Sequence, residues 1–515
     1  MRVLLTGAAG FIGSHVARAL TDAGYKVIAV DALLEPVYAT MGPPEGVTPV
    51  DIRDPDALAP LLRGVDVVVH LAAALPPGSL EPNALGGAAI RVSRPPAVEA
   101  VRGGFAVDHE ITDRYRIAGQ SPTGQQPRTG VQPPPGEHPR TAARPRRAEQ
   151  PRFTGQPPTA QQPRVAGQPR TGERPRTVEQ SESTAEGRSP AQLEAIAAHR
   201  ELAAQRRASG SSRSNTAYKA RPGEPTMREA PIFAAHNDFG TAVLLAAMEQ
   251  AGVRRLVLGS SVSVYGEGRY RGLRSGPFFP GVRLRGDLDR GMFDHRAPRT
   301  GEILTWETVG EDTPLRPRTA YAASKVAQEN YAMAWGATTG GGVTVLRYHH
   351  VYGDPTDENL ALTAHSGIAA RFRAELAVGR APFVFEDGGQ VRDFVHVRDV
   401  AAATAAVVRR PLSGFVPLNI ASGHPITLWE VASIMSRACG GPGPVVSGQY
   451  RITDARHIAA DPERARHTVD FTAAIPPTQG LADYAMSHRP APRSGGFAAV
   501  EGNPSTTTDQ LPRPR

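Results

Sequence analysis

An α/β fold built on a doubly wound parallel sheet is predicted by three features of this 515-residue chain. Short apolar runs alternate with stretches of helical periodicity. Some runs, VDVVVHLAA above all, are apolar at consecutive positions, as in strands covered on both faces. A glycine-spaced turn follows the first run and opens the first helix.

Taken in order, RVLLTG reads as a strand, residues 11–23 as a helix and YKVIAVD as a second strand. VDVVVHLAA is the next. GTAVLLAAMEQAG has helical spacing that closes at Gly252, and RRLVLGSS is another buried strand. The helix YAASKVAQENYAMAWG and the strand GVTVLRYHH follow. These elements assign one domain to residues 1–80 and 229–355, and the smaller elements of 356–488 to a second, substrate-side α/β domain. Residues 81–228 interrupt the first domain between the strand ending near Ala73 and the helix beginning near Asn237. A shorter insertion, about 267–310, precedes the helix of Tyr321. The polar tail 489–515 is expected to be disordered.

The sequence pI of 9.8 raises the question of an anionic partner. Residues 121–180 hold 10 Arg against 4 Glu, in a chain whose net charge is +8, so the basic character belongs mostly to one segment. That segment has 13 Pro and no Leu, Ile, Met, Trp or Tyr, so it cannot bury enough apolar surface to offset its ordering entropy. Disorder is predicted across the insert. It reads either as a ligand for an anionic or proline-binding partner or as a tolerated insertion. Nucleic acid is not the expected partner, because no basic face carries interleaved aromatics. The single cysteine, Cys439, excludes an internal disulfide framework and a cysteine-cluster metal site, and no metal is expected. The opening MRVLLTGAAGFIGSH is broken by glycines where a secretory leader would run apolar, and no run approaches a membrane span. A cytoplasmic protein is the expectation.

Gly7, Gly10 and Gly13 lie between a strand and a helix, where glycines permit a tight turn and close approach of a pyrophosphate. The helix N-terminus beyond them holds phosphates. Asp31 ends the next strand, placed to accept from the ribose hydroxyls of an adenosine and to repel a 2′-phosphate. NAD is therefore expected rather than NADP, with Gly7, Gly10, Phe11, Ile12, Gly13 and Asp31 in the cofactor site. Tyr321 and Lys325 are four residues apart, on one face of a helix. That spacing alone fits an acid–base pair or an ordinary helical turn.

The order of these motifs decides between the two. Gly7-x-x-Gly10-x-x-Gly13, DIRD at 51–54, HLAA at 70–73, SSVSVYG at 260–266 and YAASK at 321–325 resemble, in sequence, the extended short-chain dehydrogenase/reductase superfamily, in its NAD-dependent epimerase/dehydratase branch. HNDFGTAVLLAAMEQAGVRRLV, LRYHHVYG, FEDGGQVRDFVHVRDV, LNIASG and YRITDARHIAAD extend the resemblance to roughly 320 residues, excluding both inserts and the tail. It implies a Rossmann-type domain with a smaller C-terminal sugar-nucleotide domain, and a homodimer. It places Asp51 and Ile52 beside the adenine, Leu71, Ala72 and Ala73 along the cofactor cleft, and Ser261, Tyr321 and Lys325 in catalysis. It further gives Arg392 and Arg451 to the diphosphate of a nucleotide-linked sugar, and His350, where the family has Asn, to the substrate. Ser261 is implied to touch the same substrate.

A free phenol ionises near pH 10, so a Tyr321 base needs a shift of about three units, expected from the Lys325 ammonium and a cationic nicotinamide. Dehydratases of the branch carry an Asp-Glu pair directly after the catalytic Ser/Thr. Here Val262 and Ser263 stand there, neither able to act as acid or base at neutral pH. The resemblance therefore implies a nucleotide-sugar 4-epimerase, with a reductase, a dehydratase or a non-catalytic NAD-binding homologue as alternatives. Relatives often hold paired cysteines in the extra segment after SSVSVYG. This chain has HRAPRTG there and no cysteine, so a zinc-ribbon-like role for that segment is excluded.

Overall fold

The computed structural model describes residues 1–34, 44–74, 227–356 and 367–487. The expectations for residues 81–226 and for the tail from 489 lie outside the described residues.

Seven parallel strands form the central sheet. The first lobe contains β1 (Arg2–Thr6), α1 (Phe11–Asp22), β2 (Lys26–Asp31), β3 (Val47–Pro49), α2 (Pro55–Leu61) and β4 (Val67–His70). The chain continues through helical turns Ala230–Phe233 and Ala234–Phe239, the second of them π-helical, into α3 (Gly240–Gln250) and β5 (Arg255–Ser261). An antiparallel three-stranded sheet follows, formed by β6 (Arg269–Gly272), β7 (Gly276–Phe278) and β8 (Thr305–Glu307). Then come α4 (Ala320–Thr339), β9 (Gly342–Tyr348) and β10 (His350–Tyr352). The remainder is α5 (Gly367–Ala377), β11 (Phe383–Val384), β12 (Val391–His396), α6 (Val397–Arg409), β13 (Phe415–Ile420), β14 (Pro425–Thr427), α7 (Leu428–Cys439), β15 (Val445–Val446), β16 (His457–Ile458), α8 (Glu463–Val469) and α9 (Pro477–Met486).

The strand order β13-β9-β5-β4-β1-β2-β3 reverses direction between β1 and β4. In such sheets the crevice at the carboxyl ends of the strands beside the reversal is where ligands bind. Alternate residues of each strand feed two cores. Val3 and Leu5 join a cluster with Val16 and Leu20 of α1 and Val400 of α6. Leu4 joins Leu58 of α2, Leu244 of α3 and Trp335 of α4 on the other face. Both faces are covered, which is why the strands read as unbroken apolar runs. Burial of each such leucine contributes about 2 kcal/mol. Phe415–Ile420, from the stretch that sequence assigns to the substrate side, supplies the edge strand of this same sheet by pairing with β9.

The catalytic-motif helix α4 starts at Thr319, whose side chain accepts from Ala322 N, and stops at Gly340 in the left-handed region at φ 70°. Its only charged side chains, Lys325 and Glu329, both point inward. Glu329 is 2% exposed and takes Arg347 of β9 through Nη2–Oε2 at 2.7 Å and Nε–Oε1 at 3.1 Å, and Ser260 Oγ at 2.6 Å. Arg347 continues to the Tyr265 hydroxyl at 2.9 Å, which in turn donates to Asn419 Oδ1 of β13 at 2.7 Å. Removing one partner of a buried ion pair strands the other charge. Glu329→Ala should therefore lower stability by about 3–5 kcal/mol, read as a fall in the urea midpoint at constant slope.

Candidate active site

The glycine turn fits the back of the crevice because no side chain fits there. A Cβ on Gly7, at φ 75°, would lie 2.6 Å from Ala72 N, and one on Gly13 would lie 1.9 Å from Gly7 O. The turn is thus pressed against Leu71–Ala72 at the exit of β4, and two predicted parts of the cofactor site are contiguous. Helix α1 begins at Gly10 with no side-chain cap and no acidic residue in its first turn, so its positive end faces the crevice uncompensated. Asp31 ends β2, accepting from Ala9 N at 3.1 Å and Leu33 N at 2.9 Å. Ala32 N–H also acts on it, and of the carboxylate's roughly four acceptor positions at least one remains for a ribose hydroxyl. Burial raises its pKa above the ordinary aspartate range. Asp51 is held by Arg53 at 2.6 Å, and Ile52 packs under Gly240, where an added Cβ would meet its Cδ1 at 2.9 Å. An uncapped helix start, a cradle that excludes Cβ atoms and an acid at the second strand end fit a dinucleotide.

Ser261, Tyr321 and Lys325 are brought together at the carboxyl end of β5. Ser261 Oγ accepts from Ser263 N at 3.2 Å and from Ser263 Oγ at 2.9 Å, so it does cap the turn after the strand. Its hydroxyl also acts on the Tyr321 phenol, lowering that group's pKa. Lys325 Nζ donates to Gly259 O at 3.0 Å and lies 6.0 Å from the Tyr321 ring centroid.

The protein's own groups leave the phenol neutral. Burial pushes the Tyr321 phenol up to about 12, with the Ser261 hydrogen bond working in the opposite direction. Burial likewise pulls the Lys325 ammonium down to about 8 against the attraction of Glu329. Lys325 does not by itself bring the phenol toward neutrality, because both groups are desolvated together and the ammonium is engaged by a carbonyl.

The predicted substrate residues form a second cluster. Arg392 on β12 is 7% exposed and spends three of its five N–H groups on the carbonyls of Val391 at 2.8 Å, Ala455 at 2.5 Å and Arg456 at 3.2 Å. It makes no ion pair among the described residues. His350 pairs across the sheet with Phe394, ring centroids 5.6 Å apart, and burial beside Arg392 keeps its imidazole neutral. The Arg451 guanidinium lies 5.3 Å from the centre of the Phe385 ring. Arg451 and Arg392 both act on the buried carboxyl of Asp454.

Three sets of supporting residues escaped sequence reading. Asn237 occupies the π-helical turn, its Oδ1 accepting from Ala74 N at 2.7 Å and its Nδ2 donating to Ser324 Oγ at 2.9 Å. Ser324 in turn donates to Tyr321 O at 2.8 Å, so Asn237 ties the β4 exit to the first turn of α4. A π-bulge of this kind often marks a functional position, and Asn within a helical run was the available signal. His70 is neutral, its pKa lowered to about 3 by burial, and bridges Thr6 at 2.8 Å and Thr241 at 2.9 Å.

The third set docks the segment bearing β6–β8. Glu267 accepts from Arg318 at 2.8 Å and Tyr270 at 2.7 Å, and His295 Nε2 lies 3.0 Å from its Oε2. Arg456, 1% exposed, meets Glu386 at 2.8 Å, Asp387 at 2.7 Å and Asp294 at 2.8 Å. Glu386 also takes Arg283 at 2.6 Å, from a fully buried position at φ 55°. That left-handed backbone is strained for a residue with a Cβ.

Residues 3–84 and 299–421 match the NAD dependent epimerase/dehydratase family. The chain is 32% identical over 239 residues to a dTDP-L-rhamnose 4-epimerase of Burkholderia thailandensis, covering 46% of this chain and 63% of the relative's length. It is 27% identical over 253 residues to a UDP-glucose 4-epimerase of Mycolicibacterium smegmatis, covering 49% and 68%. The structure of a UDP-glucose 4-epimerase from Thermotoga maritima superposes with a TM-score of 0.53 at 18% identity, over 94% of this chain and 97% of that one, a likeness of fold. No helix of the described residues is long and apolar enough to cross a membrane.

The Lys325 titration gives a direct check on the site. Between the folded value of about 8 and the ordinary 10.5, the unfolded chain binds a proton that the folded chain does not, so stability rises with pH through that window. Below it both states are protonated and the full cost of burying the charge is present. Relative to Lys325→Met, the cofactor-free protein should gain about 3 kcal/mol across the window in denaturant unfolding at a series of pH values. A constant difference would show that the ammonium is not desolvated as described.

Proposed function

We propose that this chain, which carries the sequence pattern and the fold of the NAD dependent epimerase/dehydratase family, is a nucleotide-sugar 4-epimerase with NAD as its cofactor. Its substrate is a dTDP- or UDP-linked hexose. The observation that carries the reading is the gathering of Ser261, Tyr321 and Lys325 beside the glycine turn, with Val262 and Ser263 where an eliminating enzyme needs two acids.

The residues would divide the work as follows. Gly7, Gly10, Phe11, Ile12 and Gly13 would receive the pyrophosphate at the start of α1, Asp31 the adenosine ribose, and Asp51, Ile52 and Leu71–Ala73 the flanks of the adenosine and the cleft. Asp31 would disfavour a 2′-phosphate by like charge, which selects NAD over NADP. When bound, NAD would take the C4 hydride and return it to the opposite face, and its cationic ring would favour the Tyr321 phenolate. Tyr321 would accept the C4 hydroxyl proton and give it back, with Ser261 hydrogen-bonded to the same oxygen. Lys325 would hold the first turn of α4 to β5 through Gly259 O while adding positive potential. Arg392 and Arg451 would grip the diphosphate bidentately and His350 the sugar, while the keto sugar turns about its phosphate linkage.

This reading predicts that NAD-loaded protein, unlike NADP-loaded protein, interconverts a C4 pair within a panel of dTDP- and UDP-hexoses. Deuterium at C4 should survive into the product and solvent deuterium should stay out of C5. Tyr321→Phe should abolish turnover and keep cofactor binding. Net consumption of NAD or exchange at C5 would assign the chain to a reductase or a dehydratase, and NAD binding without turnover to a non-catalytic homologue.

The proposal extends to a homodimer through α4 and to a dispensable insert. The outward face of α4 carries Ala323, Asn330, Tyr331, Met333 and Ala334 without a charge, beside exposed Phe239 and Ile232. A chain in which a short linker replaces residues 85–225 should fold, bind NAD and have twice the monomer mass by light scattering, since loop length costs little. An insoluble product would overturn the dispensable insert, and a monomer the dimer.

A further inference from the structure

Ser263 follows Ser261 by two residues, inside the 3-10 turn that leaves β5, between the buried side chains of Val262 and Val264. Its hydroxyl donates to Ser261 Oγ at 2.9 Å, and its backbone N–H donates to the same atom at 3.2 Å. A serine oxygen offers two acceptor positions and one proton. Residue 263 fills both acceptor positions, so Ser261 is left with one role, that of donor. Its proton is free to point out of the turn, on the side of the Tyr321 phenol whose pKa Ser261 lowers.

We propose that Ser263 is a positioning residue that fixes Ser261 Oγ as a hydrogen-bond donor toward the oxygen sharing a proton with Tyr321. This rests on the catalytic reading of Ser261 and Tyr321 given above. The sense of that one hydrogen bond matters. A serine that donates stabilises a phenolate, whereas a serine that accepts stabilises the neutral phenol. Without the Ser263 hydroxyl, Ser261 regains an open lone pair and can accept from the phenol instead. The backbone bond from Ser263 N would persist in any variant, because every non-proline residue there supplies it. Ser263→Ala therefore removes the orienting hydroxyl and leaves the turn capped, and Ser263→Thr returns the hydroxyl. The position is the one at which dehydratases of the branch carry Glu. Here it acts on the proton of Ser261 in place of acting on the substrate.

The test uses the full chain loaded with NAD and carrying carbon-13 at the phenolic carbon of tyrosine. The Tyr321 resonance is identified by its loss in Tyr321→Phe and is followed from neutral pH to about pH 10.5. Its midpoint should lie about one pH unit higher in Ser263→Ala than in the unmodified protein, the size expected from one hydrogen bond. Ser263→Thr should restore it. Equal midpoints, a resonance that titrates in neither protein, or a threonine variant that behaves like alanine would overturn the proposal. The titration needs no turnover. A shifted midpoint in a protein inactive on every nucleotide sugar would therefore count against the proposed reaction and not against the role of Ser263.

Discussion

The inward turn of the two charges of α4 is the constraint on which the centre of this protein depends. A helix that lies on a sheet ordinarily keeps its charged residues toward water. Here Lys325 reaches the Gly259 carbonyl and Glu329 the Arg347 guanidinium, and each bond crosses from α4 to a different strand. A shift of α4 by one residue would strand both charges in a dry interior, which costs more than any local adjustment could recover. The rotation and height of the helix are thereby set, and with them the place of Tyr321 relative to Ser261. The Arg347–Tyr265–Asn419 continuation carries the same registration to the edge strand β13.

What the sequence made legible is what is local. The glycine turn, the alternation of strands and helices, and the four-residue spacing of Tyr321 and Lys325 are all settled by neighbours within a turn or two. Helix α3 closes with Gly252 at φ 73°, as its spacing implied. Asn237 offered only the weak mark of an Asn in a helical run, because its partners Ala74 and Ser324 are 163 and 87 positions away. Arg456 and Glu267 are 189 residues apart, and neither stands in a spacing that marks a ligand or an ion pair. The proton affinities of the protein's own groups were out of reach for a related reason. Sequence places an ammonium beside a phenol, but only the folded interior determines that desolvation outweighs their attraction. The edge strand at Phe415–Ile420 was read as part of another domain because a short apolar run carries no mark of the sheet it joins.

The segment bearing β6–β8 illustrates how one chain can solve a docking problem with charges. Its small apolar cluster, Tyr270, Ala297 and Leu304, buries little surface. Closure comes from Glu267 and Arg456, whose hydrogen-bonding positions are largely filled by side chains and backbone N–H groups of the surrounding elements. Burial alone would raise the Glu267 carboxyl, but the nearby His295, Arg318 and Arg283 hold it well below the ordinary range. The strained backbone at Glu386 belongs to the same arrangement. The left-handed turn delivers a carboxylate to the point where Arg283 and Arg456 meet, and the two ion pairs hold the conformation in place.

That buried lattice around Glu386 has a consequence for how the segment answers to its solution. Salt weakens ion pairs that face water and does far less to those shut away from it. Arg283, Arg456 and Glu386 are all nearly inaccessible. The docking of β6–β8 is therefore largely indifferent to ionic strength.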